Sequence, residues 1–217
     1  ALGAGALAAT ALDRPATAAA RGPIIVNALG GLYNPNIELG EKPDYRPGGE
    51  ELKVDARALR DAHASGVTAI NITLGYVPGP KDPHAYTLET LDQWDKVLAG
   101  SPNDLMLVRR AGDITRAKAA GKVGLIYGMQ NAVQIGEHLE HVDQYAARGV
   151  RVVQLTYNPA NPLGDGSMAP QNRGLTPLGR QVVEKLNAAK LMVDLSHSGE
   201  RTCLDAIAAS KTPISIN

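Results

Sequence analysis

Short apolar runs alternate with helix-patterned stretches along nearly the whole chain, and this alternation most constrains the fold. Residues 23–28, 67–74, 123–127, 150–156, 191–195 and 213–216 read as six strands. Several are apolar on both faces, the pattern of strands covered on two sides. Between them, residues 51–65, 87–98, 113–120, 137–147, 177–189 and 200–209 carry apolar residues at helical spacing. Thr176 followed by Pro177 marks a helix start, and Gly66, Gly121 and Gly149 stand where helices should stop. An unbroken strand–helix series is the signature of a parallel α/β fold, open and doubly wound or closed as an eight-stranded barrel. No G-x-G-x-x-G follows the first strand, which weighs against a dinucleotide-binding sheet. The brief apolar run at 105–108 fits neither period and is left unassigned.

The 217 residues suffice for one sizeable core. With 22 basic and 22 acidic residues the net charge is zero, which argues against a nucleic-acid partner. A single cysteine, Cys203, excludes an internal disulfide and a cysteine-rich metal cage. No apolar run is long enough to span a membrane. Residues 1–22 are Ala-rich and read as a signal-peptide remnant or a disordered tail, with Ala16-Thr17-Ala18 as a cleavage motif; residues 23–217 form the domain. Secretion or export to a periplasm is the matching expectation. The first residue is not Met, and an eight-unit barrel needs two strands more than these six, so the chain reads as truncated at both ends.

In a barrel, chemistry gathers at the carboxyl ends of the strands. Those positions here are Asn27 to Gly31, Leu74-Gly75, Gln130-Asn131, Tyr157-Asn158 and His197. The set is rich in amides and poor in carboxylates. His197 is its one good metal ligand, and Gln130 offers a weak neutral oxygen. By residue type alone, His197 is equally well explained as a histidine satisfied by a backbone carbonyl. His63, His84, His138 and His141 read as solvated helix or loop residues, Cys203 as a buried structural thiol, and Asp194 as a hydrogen-bonding strand residue. The long loops at 31–50 and 158–173 are rich in Gly and Pro or polar residues, and loops of that length are commonly functional.

Three ordered blocks carry a resemblance: Gly149-Val-Arg-Val-Val-Gln-Leu-Thr-Tyr-Asn158, Gly174-Leu-Thr-Pro-Leu-Gly179 and Asp194-Leu-Ser-His197. Together they resemble the membrane (renal) dipeptidase family of zinc peptidases, over roughly residues 23–217. The resemblance implies a TIM-type (β/α)8 barrel of the amidohydrolase-like kind, with about six of its eight strands present. It implies a zinc-dependent dipeptidase in which two zinc ions activate a water against the amide of a small peptide substrate, with room for a homodimer. Carried over by position, the fifth-strand ligand is His197. The His-x-Asp pair of the first strand falls on Leu29 and Gly31, the bridging glutamate on Gln130 and the fourth-strand histidine on Tyr157, beside Asn158 as a substrate contact. The sixth-strand histidine falls just past Asn217. One zinc at most is therefore expected. Two functions follow: a metallo-dipeptidase-type hydrolase, or an inactive dipeptidase-like barrel that binds a peptide or small polar ligand.

Overall fold

The computed structural model describes residues 22–217, so the leader expected ahead of them lies outside the described residues. Seven parallel strands form one sheet: β1 (Val26–Gly30), β2 (Ala69–Thr73), β3 (Leu105–Leu107), β4 (Val123–Met129), β5 (Val150–Gln154), β6 (Met192–Asp194) and β7 (Ile214–Ser215). Six helices alternate with them: α1 (Ala56–Ser65), α2 (Pro83–Gly100), α3 (Ala111–Ala119), α4 (Glu140–Arg148), α5 (Pro177–Ala188) and α6 (Glu200–Ala209). Among the described residues no helix is long and apolar enough to cross a membrane.

The six expected strands are present, and the run at 105–108 supplies the seventh, β3. Three paired residues are too few to show a period, which is why pattern alone passes over it. Hydrogen-bonded neighbours run β1-β2-β4-β5-β6-β7, with β3 also on β4. The registers explain this. Leu105 to Leu107 pair with Val123 to Leu125, whereas Val150 pairs with Tyr127 and Val153 with Met129. β3 and β5 thus occupy one edge of β4 end to end, while β2 pairs along the other.

β4 is buried along nearly all of its length, as expected of a strand covered on both faces. Leu125, Tyr127, Ile72, Val153, Val193 and Leu186 are among the fully or nearly fully buried side chains of the core. Burying each Leu or Val of this kind contributes roughly 1.5–3 kcal/mol before the ordering entropy is set against it. At the open edge, Val26 of β1 is exposed, as are Ile24 and Ile25 just before it.

Caps set where the helices begin. Thr176 accepts the Gly179 N–H at 3.0 Å ahead of Pro177, as its sequence signal predicts. α1 starts at Ala56 rather than at 51 because Asp55 takes the Ala58 N–H at 2.8 Å. α2 starts at Pro83, four residues before its expected start, because Asp82 caps Ala85 at 2.7 Å. Asp113 does not cap α3 from outside. It lies within the first turn, and its carboxylate reaches back to the N–H groups of Arg109 and Arg110.

Candidate active site

All strands are parallel, so their carboxyl ends share one end of the sheet. β6 leads into Leu195-Ser196-His197. The Asp194 carboxylate accepts the Ser196 N–H at 2.9 Å and its hydroxyl at 2.7 Å, and its other oxygen accepts the Asn217 amide at 2.9 Å. Asp194 is therefore the hydrogen-bonding strand residue expected of it, and it fixes the corner that presents His197. The next strand in the sheet, β5, leads into Thr156-Tyr157-Asn158.

His197 and Asn158 both take left-handed backbone conformations, with φ of 59° and 57°. His197 Nδ1 lies 2.7 Å from Asn158 Oδ1. An amide oxygen only accepts, so Nδ1 is the donor, and in the neutral ring Nε2 keeps the lone pair. The Tyr157 ring stacks on the imidazole, with centroids 4.4 Å apart. The His197 carbonyl accepts the Ser167 N–H at 2.8 Å, and the Asn158 carbonyl accepts that of Met168 at 2.9 Å. The loop after β5 thus folds back over the β6 corner. Gly166 permits this approach, because a Cβ there would run into the Asn158 carbonyl. Arg173 ties the far end of the loop to buried Asp165, with contacts of 2.7 and 3.1 Å. The Arg173 hydrogen bonds hold the Asp165 carboxyl below the usual carboxylate range.

Gln130 follows β4, one strand away from β6, and is half-buried. Its carbonyl accepts the Gln154 amide at 2.7 Å, and the same amide donates to the Thr156 carbonyl at 2.7 Å. Gln154 therefore ties the ends of β4 and β5 together, a role that sequence reasoning missed. Its one visible signal is an amide set between the apolar residues Val153 and Leu155. The Gln130 side faces a cavity of about 580 Å³ lined by Leu29, Gly31, Leu32, Ile72 and Trp94 among others. Glu51, the carboxylate of that lining, accepts a hydrogen bond from Gln93. Leu29 and Gly31 offer no side-chain ligand atom, so a first zinc on the β1 side does not fit these residues. On the β6 side, His197 has the state of a metal-binding imidazole, with one nitrogen anchored and the other bare. It fits as one ligand of a single zinc.

Of the other histidines, His138 is exposed as expected, whereas His63, His84 and His141 are half-buried. His63 faces Asp104 at 3.4 Å. His84, in the first turn of α2, is half-buried and stacked on His141 of α4 at 3.6 Å between centroids. His138 lies just before α4 rather than within it. Cys203 of α6 is half-buried under the β6 corner, and burial pushes its thiol up.

A curled parallel sheet with helices between its strands, open at β1 and β7, is a half-barrel of the kind that amidohydrolase-type (β/α)8 folds contain. The chain belongs to the membrane dipeptidase family (peptidase family M19), whose profile matches residues 41–216. An uncharacterized dipeptidase of Schizosaccharomyces pombe is 32% identical over 133 residues, 59% of this chain and 32% of the relative. The dipeptidase tcpJ of Claviceps purpurea is 28% identical over 130 residues, 59% of this chain and 31% of the relative. A crystal structure of an amidohydrolase from Pseudomonas aeruginosa superposes with a TM-score of 0.73 at 28% identity, covering 90% of this chain and 52% of that one. Dipeptidase AC, a metallo peptidase, superposes at 0.69 and 21% identity, covering 88% of this chain and 61% of that one, and shows the shared fold. The matched stretch is thus about a third of the curated relatives and about half to three-fifths of these solved chains.

Proposed function

We propose that the protein is a dipeptidase-type hydrolase whose chemistry centres on His197, with a small peptide as substrate. The observation that carries this reading is the Asn158–His197 contact, which leaves Nε2 bare at the carboxyl end of a strand in a family of metallo-dipeptidases. A zinc held there would supply a Lewis acid and a water that ionises near neutral pH. His197 is the ligand that residues 22–217 contribute in this reading. Asn158 holds the imidazole in the ligating tautomer, and Tyr157 covers one face of the ring against solvent. The Tyr157 hydroxyl, standing where the family has a histidine, is a hydrogen-bond donor toward a polarised amide oxygen. Gln130, in the lining of the cavity, offers its amide oxygen as a weak neutral ligand that adds no negative charge.

The apolar lining around Leu29, Leu32 and Trp94 favours a second reading, in which the mouth binds a peptide or small polar ligand and does not turn it over. Export from the cytoplasm and a homodimer belong to the same proposal, and cell fractionation and sedimentation test them. Hydrolysis of simple dipeptides by the zinc-loaded protein separates the two functions. Turnover that disappears in His197→Ala supports the hydrolase. Saturable peptide binding with no turnover supports the binding reading and overturns the hydrolase.

A further inference from the structure

A second group of metal-ligating side chains lies outside the mouth, where α4 begins. One ligand atom from each of His138, Glu140 and His141 lies within 4.8 Å of the others. His138 Nδ1 already contacts Glu140 Oε1 at 3.1 Å. Ligands of a tetrahedral zinc stand about 3.4 Å apart, so the group closes around an ion by side-chain rotations of about an ångström. His138 and Glu140 are free to make them, since their side chains are 67% and 64% exposed.

The third member is held in place. His141 Nδ1 lies 3.0 Å from the Gln134 carbonyl, which can only accept, so this nitrogen is the donor and in the neutral ring Nε2 keeps the lone pair. The same carbonyl accepts the Tyr145 hydroxyl at 3.2 Å, and that hydroxyl oxygen meets His84 Nδ1 at 2.6 Å. His84 in turn lies flat against His141, with 8° between the ring planes. The His141 ring is therefore fixed in tautomer by a carbonyl and in plane by a stacked neighbour. Such outer contacts orient histidine ligands in metal sites. Two imidazoles and a carboxylate suit zinc and neighbouring divalent transition ions better than calcium or magnesium. None of these residues belongs to the mouth, and none falls where the family resemblance places a ligand.

We propose that His138, Glu140 and His141 form a divalent transition-metal site at the start of α4, separate from the mouth. The test is titration of the metal-stripped full chain with cobalt(II), followed by its visible absorption, and with zinc by calorimetry. Wild type, His138→Ala, Glu140→Gln and His197→Ala are compared, with circular dichroism confirming the fold. The expected result is uptake by wild type, affinity lower on the order of tenfold or more in His138→Ala and Glu140→Gln, and uptake retained in His197→Ala. No uptake by wild type, unchanged affinity in His138→Ala, or loss of all uptake in His197→Ala overturns the proposal. None of these readouts depends on peptide hydrolysis, so the proposal stands or falls apart from the hydrolase reading.

Discussion

His197 Nδ1 and Asn158 Oδ1 meet at 2.7 Å across the ends of two neighbouring strands, with both residues in the left-handed region. A bond made from two strained backbones persists only where the surroundings hold both. Here Ser167 and Met168 supply that hold by donating to the two carbonyls. Asn158→Ala removes the anchor and leaves the corner in place. The expected outcome is a mixed His197 tautomer, read from its nitrogen chemical shifts. Zinc affinity at His197, measured in a His138→Ala background, should fall about 10- to 100-fold.

The Asp165–Arg173 contact should make the loop over His197 sensitive to acid. The folded-state carboxyl is depressed, chiefly by the Arg173 hydrogen bonds. Its contribution is therefore complete above the ordinary carboxylate pKa of about 4 and is lost as pH falls below that. Proteolysis within residues 158–173 is expected to rise below about pH 4 in wild type. In Asp165→Asn the loop should already be more susceptible at neutral pH and show a flatter pH dependence.

Asp55 serves two partners from one buried carboxylate. One oxygen caps Ala58 at 2.8 Å, and the other accepts the Asn34 amide at 2.8 Å. Asp55→Ala loses the cap and leaves the Asn34 amide with a weaker set of acceptors, a cost of roughly 2–4 kcal/mol. Asp55→Asn keeps the cap and should recover about half of that. Urea melts of the two variants check the difference.

Leu125 sits at the centre of β4 and is fully buried. Leu125→Ala should cost about 2–5 kcal/mol, according to how far its register partners Ile70 and Leu107 collapse into the space. A midpoint shift without a change of slope in the same melts is the expected form.

Most of the fold is legible in the sequence because its elements repeat a period. Glu200 to Ala209 is the helix that pattern predicts, and Thr176-Pro177 starts α5 as its cap signal says. Asp82-Pro83 carries the same cap-and-proline signal, yet the apolar stripe of α2 begins later, so period and cap point to different starts. The cap decides, because it satisfies an N–H that would otherwise have no partner. β3 is illegible for lack of length. In the mouth, Tyr157, Asn158 and His197 come together because their two strands are neighbours, which strand order makes readable. The His84–His141 stack joins residues 57 positions apart through helix starts, and no local pattern announces it.

The division of one β4 edge between β3 and β5 bears on how the molecule opens. Each β4 peptide group faces a neighbouring strand on both sides, whereas β1 and β7 each have one. Amide hydrogen exchange should therefore be slowest along β4, reporting global unfolding, and fastest at β1 and β7, where fraying suffices. β4 is thus the spine on which the other strands are hung. Gln130, at its carboxyl tip, is tied to that spine through the Gln154 amide on its carbonyl.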